Sequence, residues 1–179
     1  MKQTLEQYQE AVAGCKDIFI KKTKDYGTSW RVLRLIAVVD QLFIKAQRIR
    51  NIQEIGTQKV ADHIDGEFKG IVNYGVIGLI QLELPGDPYT DLPVEEVDRL
   101  YDKYIHQVQQ VMEDKNHDYG EAWRALSQES FVDLILTKLL RIKQILRNEG
   151  KTLISEGIDA NFTDIINYAL FALIKISEK

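Results

Sequence analysis

Two pairs of basic residues recur in this 179-residue chain at a spacing that suits phosphate binding: Lys45 with Arg48, and Lys138 with Arg141. Residues three apart share one face of a helix. Two cations on one face suit phosphate oxygens, and Arg can bind two of those oxygens at once. The alternative is that these cations form ion pairs or lie on a solvated face. We expect all four to bind a ligand.

Two pairs of carboxylates follow the basic pairs, one in each half of the chain. Acidic residues one helical turn apart, doubled by a second such pair, suit Mg²⁺, which prefers oxygen ligands. Such an ion could bridge phosphates held by the cations. The alternative is that the carboxylates pair with the basic residues across a helix interface. The four expected metal ligands are Asp62, Asp65, Glu156 and Asp159.

Two asparagines lie on the same helical faces as these carboxylates. Asn73 follows Asp62 by eleven residues, which places the two nearly in line on a helix. Asn167 holds the corresponding position in the second half. We expect both asparagines to contribute to ligand binding.

A twelve-residue pattern, K-x-x-D-Y-G-x-x-W-R-x-L, occurs at residues 22–33 and again at 115–126, and therefore indicates an internal duplication. Its Asp could cap backbone N–H groups or act as a ligand. Its Tyr and Trp could fasten a turn onto the core or stack on a base. Its Arg lies where the helix dipole gives a cation no help, so it needs an acidic partner or a phosphate. The additional ligand-binding candidates are Asp25, Tyr26, Arg31, Asp118, Tyr119 and Arg124.

The elements that must position these residues are helices. Apolar residues recur at intervals of three and four, and the alternation typical of strands is missing. All three prolines fall within residues 85–93. We therefore predict an all-α bundle of two duplicated helical repeats related by a pseudo-twofold axis, with repeats at 1–82 and 95–179 joined by a Pro-rich linker at 83–94.

Each repeat should contain a first helix, a short helix after the D-Y-G turn, and two long helices. Gly27 is expected to end the first helix, and the short helix should begin at Thr28 or Ser29. The last helix of the first repeat is expected at about 58–82. That of the second repeat is expected to include Ile154 and Ile158. A duplicated chain of this kind can replace a homodimer, although a further homodimer stays open.

Composition narrows the class of protein. A formal net charge of −4 argues against direct nucleic-acid binding, which usually needs a basic face. The single cysteine, Cys15, excludes an intramolecular disulfide and is expected to be a core residue. The longest apolar stretches are shorter than the roughly 20 residues of a membrane span. With no signal-peptide pattern, we expect a cytoplasmic protein without membrane contact.

The repeated motif resembles the family called nucleotide modification associated domain 1, found in phages and bacteria. The resemblance includes the K-x-x-D-Y-G-x-x-W turn, a D-x-x-x-x-K-x-x-R helix and a D-x-x-x-x-x-x-x-N-Y helix in each half. It implies a nucleotide-related role. A looser similarity, to all-α pyrophosphohydrolases of the MazG and dimeric dUTPase kind, implies Mg²⁺-bound carboxylate pairs. This chain lacks their upstream E-x-x-E.

These observations favour a protein that binds a nucleotide or another phosphorylated small molecule, and hydrolysis of that ligand with Mg²⁺ stays open. A different class stays open, namely a non-catalytic helical module whose shared charged residues are structural ion pairs. A third alternative is an accessory protein in DNA modification that docks on a partner.

Overall fold

The structure, a computed structural model, describes residues 1–56 and 63–179. Within these ranges the chain forms six α-helices and two short 3-10 helices, and no strand. The 3-10 helices, Ser29–Val32 and Ala122–Ala125, follow the first helix of each half. The α-helices are α1 Lys2–Tyr26, α2 Leu35–Ile55, α3 Ile64–Glu83, α4 Val94–Tyr119, α5 Gln128–Arg147 and α6 Ile158–Ser177.

The all-α prediction is confirmed, and two helix starts differ from expectation. α3 begins at Ile64 rather than near 58, while residues 57–62 lie outside the described ranges. α6 begins at Ile158, so including Ile154 in it was wrong. Ile154 is 98% exposed, in a loop where Thr152 Oγ1 donates to the Ser155 carbonyl at 2.7 Å. The four-residue spacing from Ile154 to Ile158 matches a helical period, but this local turn prevents the helix from extending backwards.

The core is a four-helix arrangement of α2, α3, α5 and α6, with α1 and α4 packed across it. α3 and α6 run antiparallel. The later glycine of α3, Gly78, lies against the earlier residue of α6, Phe162, while Gly75 lies against Ile166. A Cβ on Gly75 would lie 2.5 Å from Ile166 Cγ1, and one on Gly78 would lie 2.7 Å from Phe162 Cζ. Glycine at these two positions therefore permits the close approach of the central helices.

Two reciprocal hydrogen bonds join the halves through the buried interior. The Tyr8 hydroxyl donates to Asn167 Oδ1, and the Tyr101 hydroxyl donates to Asn73 Oδ1, both at 2.8 Å. Each asparagine amide donates in turn to a backbone carbonyl: Asn73 to Cys15 at 3.0 Å, and Asn167 to Val108 at 3.2 Å. Each tyrosine therefore donates a hydrogen bond to the buried asparagine of the other half. This exchange is what the predicted pseudo-twofold axis requires.

Two reciprocal ion pairs also join the halves, between α2 and α5. Arg50 Nη1 of the first half is 3.4 Å from Asp133 Oδ1 of the second. The counterpart pair, Lys143 and Asp40, is separated by 3.3 Å between Nζ and Oδ1. These partly exposed pairs each contribute little energy, on the order of 0–1 kcal/mol. Their pairing across the halves is further evidence that the duplicated units share one bundle.

Candidate functional site

The turn after α1 positions the candidate site in the first half. Gly27 ends α1 with φ of 72°, in the left-handed region that glycine tolerates best. The Thr28 N–H donates to Asp91 Oδ1 at 2.9 Å, and the Leu92 N–H donates to Thr28 Oγ1 at 3.0 Å. The segment joining the two halves therefore fixes the position of the short helix Ser29–Val32.

Arg31, an expected ligand residue, is buried in contacts that hold this turn onto α3. Its guanidinium donates to the Gln81 side chain and to the Leu84 carbonyl, the latter at 3.2 Å. Gln81 Nε2 donates back to the carbonyls of Arg31 and Leu33, both at 2.8 Å. These contacts satisfy the guanidinium without Asp25 or a phosphate.

Arg124 occupies the matching position in the second half and is equally engaged. It donates to Thr4 Oγ1 and Gln7 Oε1, both at 2.7 Å, and to Glu178 Oε1 at 2.9 Å. Lys175, the counterpart of Gln81, donates to the Arg124 carbonyl at 3.0 Å. Both motif arginines thus serve fold contacts, and ligand binding by them stays a prediction without geometric support.

A cavity of about 420 Å³ opens between the end of α1, the Ser29–Val32 helix, α2 and the first half of α3. Its size falls within the range of small-molecule sites. The lining includes both basic and aromatic side chains. Besides apolar and small residues, the lining includes Lys22, Lys45, Lys69, Phe19, Tyr26, Trp30, Asn73 and Tyr74. We call this cavity the first-half pocket.

The lysines of the first-half pocket are only loosely neutralised. Lys45 Nζ is 3.7 Å from Glu67 Oε2, and Lys69 Nζ is 3.8 Å from Asp65 Oδ2. Lys22 makes no ion pair within the described ranges. Because each ammonium has three donors, these long contacts leave donors available to an anion.

The aromatic side of the pocket offers surfaces for a flat ring. Trp30 is half-buried and tilted against Phe19, with ring centroids 6.0 Å apart. Tyr26 is 58% exposed at the mouth. Burial, and then the neighbouring Tyr26, raise the pKa of the Tyr74 hydroxyl, so it stays protonated at neutral pH. A heterocycle could therefore pack against these faces beside the lysines.

Arg48 differs from Lys45 in its surroundings. Its Nη1 is bonded to Glu67 Oε1, and it is not among the residues lining the first-half pocket. Asn73 lines the pocket, but its amide is bonded on both sides within the core. Of the predicted ligand-binding residues in this half, Lys45, Tyr26 and Asn73 are brought together.

The second-half candidates meet in a different place. Lys138, Arg141 and Glu156 line an open depression of about 1100 Å³ beside the 148–157 loop. Lys138 is already bonded there, with Nζ 2.8 Å from Asp164 Oδ2. Asn167 is buried in the core by its bonds to Tyr8 and Val108.

The structure describes three of the four predicted metal ligands and does not bring Asp65 and Asp159 together. Asp62 lies outside the described residues. Since α3 and α6 are antiparallel, Asp65 and Asp159 lie near opposite ends of the pair, roughly 24 Å apart along the axis at 1.5 Å per residue. Nowhere in residues 1–56 or 63–179 do three or more His, Cys, Asp or Glu side chains form a metal-binding group. The described residues therefore show no site shared by Asp65 and Asp159, and Mg²⁺ binding stays a prediction.

The acidic and aromatic motif residues are mostly at the surface. Asp25 and Asp118 are exposed, and Asp118 Oδ1 is 3.1 Å from His117 Nδ1. Tyr119 is 72% exposed. Neither Asp bonds the neighbouring Arg, so the predicted Asp–Arg partnership within the motif is absent from the described contacts.

Comparison with known proteins identifies a family for both halves of the chain. The sequence profile of the family described as Nucleotide modification associated domain 1 matches residues 22–82 and 115–176. The chain belongs to this family. It carries the domain twice, as the duplication predicts. No curated protein and no solved structure matches the chain.

Each nucleotide modification associated domain segment begins at the first Lys of the repeated motif. Lys22 and Lys69, which line the first-half pocket, were not among the sequence-predicted site residues. Lys22 was visible as that first shared Lys, and its counterpart is Lys115. Lys69 carried no such signal, because the second half has Thr163 there.

None of the described helices is both long enough and apolar enough to cross a bilayer.

Proposed function

We propose that the first-half pocket binds a nucleotide, or a closely related phosphorylated aromatic small molecule. The observation that carries this proposal is the joining of three incompletely neutralised lysines and an aromatic wall in one cavity of about 420 Å³. The family description, which refers to nucleotide modification, is in keeping with it.

Different residues of the pocket would contact the phosphate and the base of the ligand. Lys22, Lys45 and Lys69 provide ammonium donors for phosphate oxygens, in contacts worth about 1.5–3 kcal/mol each when charged groups are hydrogen-bonded. Trp30 and Tyr26 provide ring faces for the base, with stacking worth on the order of 1–3 kcal/mol. The net charge of −4 fits a single small anion better than duplex DNA.

Hydrolysis of the ligand is the catalytic form of the same proposal. Among the described residues, Asp65 is a predicted metal ligand that contacts the pocket lining, through Lys69. A Mg²⁺ ion shared by Asp65 and the ligand would neutralise phosphate charge. Because the described residues bring no group of three carboxylates to the pocket, the geometry supports binding more strongly than turnover.

The experiment is a calorimetric and thermal-shift screen of nucleoside mono-, di- and triphosphates, each with and without Mg²⁺, with product analysis by chromatography. Inorganic pyrophosphate serves as the ringless comparison. We expect at least one nucleotide to bind and to raise the melting temperature. A panel in which no nucleotide binds would refute the proposal, whereas binding without turnover would refute only its catalytic form.

Matched lysine variants then locate the site. Lys22→Gln removes one charged contact and should weaken binding by about ten- to a hundredfold. Its control is Lys115→Gln, which changes the same motif position in the second half and should leave affinity within about twofold, a difference of less than 0.5 kcal/mol. Equal losses in both variants would contradict a first-half site.

A second matched pair tests the aromatic part. Tyr26 and Tyr119 are both exposed, so neither change to Ala should disturb the core. Tyr26→Ala should weaken binding of the nucleotide but not of pyrophosphate, and Tyr119→Ala should change neither. Unchanged nucleotide affinity in Tyr26→Ala would show that the ring does not lie at the mouth of this pocket.

A further inference from the structure

The final helices of the two halves differ at a position next to the shared lysines. The first half has Gly70, and the second has Asp164 at the equivalent point. Asp164 is buried, with Oδ1 2.8 Å from Lys115 Nζ and Oδ2 2.8 Å from Lys138 Nζ. These two lysines are the counterparts of Lys22 and Lys45 in the first-half pocket.

The second half therefore contains an internal anion held by two ammonium groups. Burial lowers the pKa of Lys115, but its hydrogen bond to Asp164 and that residue's charge outweigh burial, so the pKa is raised overall. Lys115 thus remains charged and bonded to Asp164. In the second half each of these lysines therefore has a close carboxylate partner within the chain.

The first half has the two lysines without the anion. A Cβ built on Gly70 would lie 3.0 Å from Lys45 Cε and 3.2 Å from Lys45 Nζ. The Lys45 ammonium thus lies over bare backbone, at the place where the equivalent of the Asp164 side chain would begin. Lys22 and Lys45 both line the first-half pocket, and the carboxylate contact of Lys45 is the long one to Glu67, at 3.7 Å. A carboxylate or phosphate at the place of Asp164 would have to come from outside the chain.

In the second half the tryptophan of the motif is also covered by another residue of the chain. Phe171 replaces Ile77 and stacks on Trp123, with ring centroids 4.2 Å apart and an interplanar angle of 7°. Trp123 is buried, whereas Trp30 is only half-buried. In the second half a protein ring covers one face of the tryptophan, whereas Trp30 lines the first-half pocket.

We infer that Asp164 and Phe171 are built-in substitutes for the phosphate and the ring of the ligand, so that the chain binds one ligand, in the first half alone. The inference rests on the proposed function. It assigns the phosphate to the part of the pocket beside Gly70 that Lys22 and Lys45 line, and the ring to the part that Trp30 and Ile77 line. In this account the equivalent residues of the second half stabilise the fold and bind no ligand.

The test is a pair of nearly isosteric substitutions at Gly70. Asp and Asn have similar shapes and helix propensities, and Lys45 is a flexible neighbour that can move by a few tenths of an ångström. Gly70→Asp supplies a carboxylate to Lys22 and Lys45, as Asp164 does in the second half. Gly70→Asn supplies the bulk without the charge.

Calorimetry with the nucleotide that binds wild type best should give one site per chain. Gly70→Asp should lose at least about tenfold in affinity relative to Gly70→Asn, in line with a charged contact being replaced internally. Gly70→Asp should also have the higher melting temperature without ligand, since it gains ion pairs. Two sites in wild type, or equal affinities in the two variants, would overturn the inference.

The outcomes separate the two claims. A wild-type protein that binds no nucleotide refutes the proposed function. A wild-type protein that binds, together with a Gly70→Asp variant that keeps its affinity, refutes only the placement of the phosphate. The melting temperatures of the two variants report on the Gly70 environment in either case.

Discussion

Replacing Tyr101 by Phe should destabilise the protein by removing a single hydroxyl group. That hydroxyl donates to Asn73 Oδ1 at 2.8 Å, and both residues are buried. Asn73 keeps its bond to the Cys15 carbonyl, but its own carbonyl oxygen loses its partner. The ring of Phe fills the same space, so the change isolates the hydrogen bond between the halves.

The size of the effect follows from the buried acceptor that is left behind. An unsatisfied buried polar group costs about 1–3 kcal/mol, more than the net value of a typical hydrogen bond. For a chain of this length each kcal/mol shifts the melting temperature by about 2–4 °C. We therefore expect Tyr101→Phe to lower the melting temperature by roughly 2–12 °C.

Urea denaturation provides the assay, with the free energy of unfolding compared at an unchanged m-value. The control is Tyr104→Phe. The Tyr104 hydroxyl donates to Glu83 Oε2 at 2.8 Å, but that carboxylate is largely exposed and can bond water instead. Tyr104→Phe should cost less than about 0.5 kcal/mol. Equal effects in the two variants would refute the claim that the buried hydrogen bond between Tyr101 and Asn73 stabilises the contact between the halves.

Two further outcomes test the packing. Gly75→Ala should destabilise by about 1–3 kcal/mol, because its Cβ would lie 2.5 Å from Ile166. Gly66→Ala, which meets nothing within 4 Å on the same helix, should instead stabilise by up to about 1 kcal/mol; thermal melts that rank the two variants the other way would contradict the close approach of α3 and α6. Burial raises the pKa of Cys15 to about 12, so at pH 8 the folded protein should resist thiol reagents that label the denatured chain, and rapid labelling of folded protein would show that the site opens.

The helices were predictable because their signals are local. The three-and-four spacing of apolar residues predicted α1, and Gly27 predicted its end. The start of α6 was not predictable in this way, since Ile154 keeps the helical spacing but lies in a loop. The internal repeat predicted the pseudo-twofold arrangement directly from the sequence.

The candidate site was less predictable because its side chains are assigned by distant partners. Arg31 was expected to need an acidic partner or a phosphate, yet it bonds Gln81 and a carbonyl some fifty residues away. Asn73 was placed on a polar stripe, yet Tyr101 of the other half bonds it in the interior. Local spacing cannot show which polar groups the fold satisfies internally.

A difference between the copies turned out to be more informative than their shared residues. Gly70 and Asp164 occupy equivalent positions, and their mismatch distinguishes an open pair of lysines from an occupied one. The mismatch is present in the sequence. Its meaning depends on Lys115 and Lys138 lying on both sides of the carboxylate, which only the folded chain shows.

Lysine footprinting tests the central claim most directly. Folded protein would be labelled with an amine-reactive reagent, with and without a saturating nucleotide, and the modification of each lysine measured by mass spectrometry. The account predicts that nucleotide protects Lys22, Lys45 and Lys69 while labelling of Lys115 stays unchanged. Protection of Lys115 equal to that of Lys22, or no protection of Lys22 by a nucleotide that demonstrably binds, would contradict it.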